Sequence, residues 1–241
     1  AVLLIVGSYM RMTVQETKDF AEAKAKAPEA KFPLIEVFKK YPKMVLAGMG
    51  ARFLDGVSFN VFGVYSLTYL TQQHGVHREA ALSSLIVASA VMAVAIPFWG
   101  QFADRHGKAK IFGICVLLLG IISFPAFWVL HNYAHNFVLV TLTLTLAFAI
   151  LHAGQYATMA SLFSDSFPAE VRYSGISFVY QFTAIFASGL TPMIATALTG
   201  WADGQPWYLC MYFCFWGVVS ALCTYALYKM SPQVKAAAGQ A

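Results

Sequence analysis

Charge is what this sequence has least of. Of 241 residues, only 11% are Asp, Glu, Lys or Arg, against roughly 25% in an ordinary soluble domain. With 59% hydrophobic residues, a soluble chain would run out of polar groups to cover its surface. The shortage is also local: no charged residue occurs from 111 to 164, nor from 173 to 202. A bilayer core of about 30 Å needs about 20 apolar residues per helix, so the first stretch has room for two spans and the second for one. Cysteine is sparse as well. Cys115, Cys210, Cys214 and Cys223 fall in apolar stretches without metal-ligand spacing to His, so they read as small hydrophobes and no metal or other cofactor is expected. The sequence lacks G-x-S-x-G, H-E-x-x-H and paired carboxylates at one depth, which argues against an enzyme. The net charge of +5 sits in connecting loops, with no basic stripe interleaved with aromatics. The expected partner is therefore the lipid bilayer and not nucleic acid.

What is present is a series of long apolar runs. They read as membrane spans over 44–70, 80–102, 111–130, 137–163, 175–199 and 207–229, each long enough to cross as a helix. The expected class is an all-α polytopic membrane protein. The opening AVLLIVGSYM, 1–10, reads as the end of an earlier span, 11–43 as a polar connector and 230–241 as a tail. Within the connector, Leu34 to Lys40 fits either a short amphipathic helix on the membrane surface or a solvated linker. Pro97, Pro125 and Pro192 fall inside spans, where neighbouring helices can satisfy the backbone groups a proline frees.

The basic residues orient the chain. Alternating the spans collects fourteen Lys and Arg on the connector's side and leaves only Arg78 on the other. The positive-inside rule makes the connector side cytoplasmic. The expectation is a multi-pass protein of the cytoplasmic membrane with connector and C-terminus inside. One misplaced span would scramble this asymmetry, so it supports the parse as well as the orientation.

Of 16 basic and 11 acidic residues, only Arg52 and Asp55 lie well inside a span. An ionisable residue at a helix centre in lipid costs at least about 2.5–3.5 kcal/mol on insertion scales. Spacing of i, i+3 puts both on neighbouring positions of one face. Arg52 stands eight residues past Met44, about 12 Å deep at 1.5 Å per residue, near the midplane where transporters bind substrate. Three readings are open. Asp55 could exchange a proton while Arg52 meets an anionic substrate; the two could form a permanent packing pair; or Arg52 could snorkel to the surface. Asn60 and Tyr65 continue the same span. His152, Gln155 and Tyr156 sit together in the fourth, where His152 could carry a proton or simply hold a helix contact.

Between the second and third spans stands Gly100-Gln101-Phe102-Ala103-Asp104-Arg105-His106-Gly107-Lys108-Ala109-Lys110. Its physics is that of a tight charged hairpin. Gly100 and Gly107 would permit close approach and a positive φ, and Asp104 would accept backbone N–H groups or face a helix N-terminus. This string resembles the G-x-[LF]-A-D-R-x-G-[RK]-[RK] loop signature of the major facilitator superfamily, departing from it at Ala109. A second stretch, Phe167 to Ser177 with Glu170 and Arg172, followed by Tyr180-Gln181 and Gly189-Leu190-Thr191-Pro192, is similar to the tenth-to-eleventh-helix region of that superfamily's metabolite:proton symporter branch. The resemblance implies a six-helix C-terminal half of a twelve-helix fold, built of two inverted three-helix repeats, with an N-terminal six-helix half as its missing partner. It implies proton-coupled uptake of a small organic acid, or of an osmolyte, with protons and a small molecule as partners. It adds Tyr180 and Gln181 as cavity-lining candidates. It also implies a cytoplasmic gate carrying Gly100, Asp104, Arg105, Gly107, Lys108, Glu170 and Arg172.

Overall fold

The computed structural model describes residues 33–231, with side chains described from Val37 onward. The expected span end at 1–10, most of the connector and the tail from 232 lie outside the described residues. Among the described residues every regular element is a helix. Helix α1 is Pro33–Lys40 and α2 is the run 42–73; α3 is Arg78–His106, α4 Lys108–Asn132, α5 Phe137–Ser166, α6 Arg172–Trp201 and α7 Trp207–Met230. Five of these, α3 to α7, are long and apolar enough to cross a membrane. The run α2 is helical throughout but changes hydrogen-bond register, with π-helical turns at Val61–Tyr65 and Tyr69–Gln73.

The helices overrun the apolar windows because charge does not stop a helix at the membrane edge. Helix α3 begins at Arg78 and carries Asp104, Arg105 and His106 before Gly107 ends it at φ 97°. Helix α6 begins at Arg172, three residues before the apolar run. The expectation for Gly100 is corrected: it lies inside α3, its φ is not positive, and a Cβ there would meet nothing within 4 Å. At the other end of the bundle, Gly75 (φ 66°) and Gly204 (φ 83°) supply the left-handed turns between helices, a conformation glycine adopts without steric cost.

Small residues let the helices close on one another, as expected where lipid offers no hydrophobic drive between helices. Helices α4 and α7 meet at Gly120 and Gly217, where a Cβ on Gly217 would lie 3.2 Å from the Gly120 Cα. Helix α2 packs against both α6 and α7. Its Ala51, Leu54, Val57 and Val61 are fully buried, and Gly56 sits against Ala187 and Ser188 of α6. The outer surface is apolar instead, with Ile86, Val94 and Phe98 of α3 exposed, as suits a face in contact with lipid. In α1, Val37 is buried and Phe38 packs edge-on against Phe178 of α6, 4.6 Å between ring centroids.

Three helices depart from α geometry midway. Besides α2, α5 turns π-helical over Thr145–His152 and α6 over Ile185–Gly189. Pro192 follows the last of these at the start of a new α segment, where its missing N–H costs least. Single-turn π segments inside α-helices cluster at functional sites; here that of α5 ends at His152 and that of α6 packs against Gly56.

Candidate functional site

The polar interior is built on one face of α2. Arg52 and Asp55 are both largely shielded, their side chains 13% and 10% exposed. They are not a tight pair: Nη2 stands 3.9 Å from Oδ2, beyond hydrogen-bond reach. Arg52 is held from α6 instead. Its Nη1 donates to the Tyr180 carbonyl at 3.0 Å, and its guanidinium lies 4.3 Å over the Tyr180 ring. Arg52 Nε and Asp55 Oδ1 are buried with no hydrogen-bond partner among the described residues. The guanidinium is therefore committed to Tyr180, while the carboxylate keeps an open acceptor.

One turn further along α2, Ser58 joins the face. Its hydroxyl lies 3.0 Å from the Asp55 carbonyl and 2.8 Å from His152 Nδ1 of α5, and both Ser58 and His152 are buried. Phe148 stacks on His152 at 5.2 Å and 12°, while Tyr156 covers it at 6.2 Å. The imidazole is thus held between two rings with one nitrogen pinned to a hydroxyl. Ser58 escaped the sequence reading because a serine in an apolar helix is unremarkable; its place one turn after Asp55 was the available signal. On the opposite face of α2, Ser220 of α7 accepts from Leu54 N at 3.2 Å and donates to Gly50 O at 2.9 Å. Those are the two groups one ladder step would join, so a side chain from α7 intervenes in the turn that carries Arg52.

Not every expected residue joins this group. Tyr180 does, and Tyr156 does with half its surface exposed. Asn60 instead donates back to Gly56 O at 2.9 Å within its own helix. Tyr65 bonds to Thr199 and ties α2 to α6. Gln155 is fully buried, and neither of its amide atoms finds a partner among the described residues. Gln181 points to the exposed surface beside Tyr180.

The hairpin differs from expectation in its charges. Gly107 carries the positive φ. The ion pair belongs to Lys108, whose Nζ reaches Asp165 Oδ2 of α5 at 2.8 Å. Asp104 and Arg105 are exposed, and neither hydrogen-bonds or ion-pairs among the described residues. Asp104, Lys108 and Lys110 line a cavity of about 770 Å³ beside Tyr225 and Tyr228 of α7. Arg172 Nε donates to Phe167 O at 3.2 Å, closing the loop into α6, and Glu170 is exposed there. At the far end, Tyr69 bonds to His131 Nδ1 at 2.8 Å. Beside it, burial and the neighbouring His131 and His135 hold His74 below the ordinary histidine range.

Comparison with known proteins agrees with this architecture. The Major Facilitator Superfamily family model matches residues 3–240. The Escherichia coli shikimate transporter is 26% identical over 92% of this chain and 51% of its own length. The inner membrane metabolite transport protein YhjE of the same organism is 29% identical over 82% of this chain and 46% of its own length. The ectoine/proline transporter ProP of Corynebacterium glutamicum is 25% identical over 80% of this chain and 40% of its own length. The chain thus spans about half the length of the curated relatives it matches. No solved structure matches it significantly. A match that runs the length of the chain, over an all-helical multi-pass fold, settles the family: the chain belongs to the Major Facilitator Superfamily.

Proposed function

We propose that this chain forms the C-terminal half of a secondary transporter that carries a small organic acid or related metabolite together with protons across the cytoplasmic membrane by alternating access. In this reading 1–10 ends an earlier span, 11–43 is a cytoplasmic connector, and a preceding six-helix half completes the cavity. The fourteen-to-one distribution of basic residues supports the orientation. The transporter names of the relatives and the family favour transport over enzymatic chemistry.

The observation that carries the reading is the loosened pair in α2. A permanent structural ion pair would be hydrogen-bonded and saturated. Here Arg52 is engaged by Tyr180 and Asp55 Oδ1 has no partner. A carboxylate with an open acceptor can take up and release a proton. Arg52, freed from Tyr180, can grip a substrate carboxylate with its planar fork. In this reading His152 is the second proton-coupling candidate, Tyr156 and Tyr180 contribute to the substrate path, and Gln155, buried here with its amide unpartnered among the described residues, joins them when the helices rearrange. In the same reading the hairpin from Gly100 to Lys108, with Glu170 and Arg172, closes the cytoplasmic side.

A second substrate class, zwitterionic osmolytes, is favoured by the same site. Opposite charges 3.9 Å apart beside the Tyr180 ring suit a ligand carrying both signs, and one relative bears the name of an ectoine/proline transporter. The test is uptake by the chain with its upstream reading frame, reconstituted in proteoliposomes under an imposed pH gradient. Radiolabelled shikimate and radiolabelled glycine betaine serve as probes. Accumulation of one that collapses with a protonophore and not with sodium removal supports the reading. Accumulation of neither above protein-free liposomes defeats it in favour of a non-transporting protein.

A further inference from the structure

We propose that Ser58 is a positioning residue that converts the protonation state of His152 into a change of hydrogen bonding in α2 at Asp55. This rests on the proton-coupling reading above and names the contact through which the second candidate acts on the first.

The argument starts from the single hydrogen a serine hydroxyl carries. Ser58 Oγ lies between the Asp55 carbonyl, an acceptor at 3.0 Å, and His152 Nδ1 at 2.8 Å, which accepts when bare and donates when it carries a proton. It can donate to only one. When Nδ1 is bare, the hydroxyl donates to it and the carbonyl loses its extra bond. When Nδ1 gains a proton from solvent, that N–H donates to Oγ, and the hydroxyl turns its own hydrogen to the carbonyl. No proton passes through Ser58; its O–H bond only reorients.

The carbonyl that gains or loses this bond sits at a sensitive place. A serine bonded back to the carbonyl one turn earlier competes with the helix ladder and bends the helix. The next carbonyl, of Gly56, already accepts a side-chain bond from Asn60 at 2.9 Å. Immediately beyond, α2 changes to π-helical register at Val61. Two successive carbonyls with side-chain donors, followed by a change of register, mark a turn poised between hydrogen-bond arrangements. Asp55 stands at its start, next in sequence to Gly56, which packs on the π-helical turn of α6.

The groups around His152 leave Ser58 as its hydrogen-bonded link. Asp55 acts on it electrostatically from α2, with Arg52 beside Asp55 and turned to Tyr180 of α6. Tyr156 and Phe148 of its own helix and Phe59 of α2 contribute ring contacts. Among the described residues, Ser58 is the one whose side chain lies within hydrogen-bond distance of both the imidazole and the Asp55 carbonyl.

The experiment is nitrogen NMR of the full chain in bilayers, labelled with ¹⁵N-histidine, with the His152 signal assigned by its loss in His152→Gln. Hydrogen bonds to charged groups exceed neutral ones by about tenfold in equilibrium, so Ser58→Ala should move the pH midpoint of the His152 signal about one unit toward acid. Ser58→Thr, which keeps the hydroxyl, should return it. Ser58→Cys, with a weaker donor of similar size, should fall between and substitutes if the alanine variant does not fold. A His152 signal that does not titrate between about pH 4 and 9, or that titrates alike in wild type and Ser58→Ala, overturns the proposal. Failure of the underlying reading looks different: Asp55→Asn would still accumulate substrate while the Ser58 series shifted as described.

Discussion

Replacing Arg52 and replacing Asp55 should have unequal consequences, and the inequality can be worked from their geometry. At 3.9 Å, opposite unit charges attract by about 4 kcal/mol at an effective dielectric of roughly 20. Desolvating two ions costs several kcal/mol each, so the attraction between them does little more than offset their burial. Arg52 has further contacts that Asp55 lacks. Its bond to the Tyr180 carbonyl is a charge-assisted hydrogen bond of about 1.5–3 kcal/mol, and its stacking over the Tyr180 ring adds about 1–2 kcal/mol.

Asp55→Asn keeps shape, leaves Arg52 paired with Tyr180, and removes the carboxylate's own desolvation cost along with the attraction it offset, so the expected cost is about 1 kcal/mol or less. Arg52→Gln removes both contacts to α6 and leaves a carboxylate buried alone, for about 3–5 kcal/mol. For a chain of this size 1 kcal/mol is worth about 2–4 °C. Thermal scans at one fixed rate in one detergent should therefore place Asp55→Asn within about 4 °C of wild type and Arg52→Gln about 6–20 °C below it. Proton-driven accumulation should nevertheless be abolished in Asp55→Asn, because an amide cannot titrate. Equal destabilisation by the two changes would refute this, since it would mean the two side chains support the fold through each other. So would a double variant, Arg52→Gln with Asp55→Asn, that recovered both stability and accumulation.

Gly56→Val should separate α2 from α6, because even a Cβ would lie 2.7 Å from Ser188 Oγ and 2.9 Å from Ala187 Cβ; a loss of about 1–3 kcal/mol is expected by thermal scan, whereas Gly100→Ala, in open space, should stay within about 0.5 kcal/mol. Asp104→Asn should leave stability unchanged, since the exposed carboxylate has no partner among the described residues, yet slow transport tenfold or more if the hairpin gates the cycle; wild-type uptake would reduce it to a loop. Single cysteines at Lys108 and Arg172, in a background without native cysteines, should react only with permeant reagents from outside the cell, while one at Asn132 reacts with impermeant ones; exterior labelling at Lys108 would overturn the orientation. His74 is held below its ordinary range by burial and by His131 and His135, so its stabilising contribution is present above about pH 6.5 and is lost as pH falls. The thermal midpoint should drop between about pH 7 and pH 5, and His74→Gln should flatten that drop.

The fold was legible because a bilayer imposes one demand that sequence reports directly: long runs of apolar residues with charge only between them. The same signal blurred the ends, since a helix such as α3 carries Asp104 to His106 into water without breaking. It also misassigned Gly100. A glycine beside a charged turn reads as a turn residue, but Gly107 alone takes the positive φ and Gly100 stays helical. The charged pair was legible for the opposite reason, as the one breach of the rule that keeps charge out of a span. Residues such as Asn60 and Tyr65 were harder. Polarity inside a span marks either a ligand path or a helix contact, and only tertiary distance separates the Gly56 carbonyl or Thr199 hydroxyl they reach from an open cavity.

Ser58 shows where reading by residue type stops. Its hydroxyl matters because α5 brings His152 to within 2.8 Å of it, and no spacing within one helix encodes a neighbour ninety residues away. What the sequence does carry is the periodicity of the face itself, with Arg52, Asp55 and Ser58 each one turn apart. The three differ in what engages them: Arg52 is held by α6 and Ser58 by α5, while Asp55 Oδ1 has no hydrogen-bond partner among the described residues. A rigid packing face would have no reason to leave the middle member open. A face that changes partners in the proposed transport cycle would. The two neighbours of Asp55 on this face tie α2 to α6 and to α5. That arrangement is why the perturbations at 52, 55 and 58 are expected to separate stability, charge and pH dependence and not to scale together.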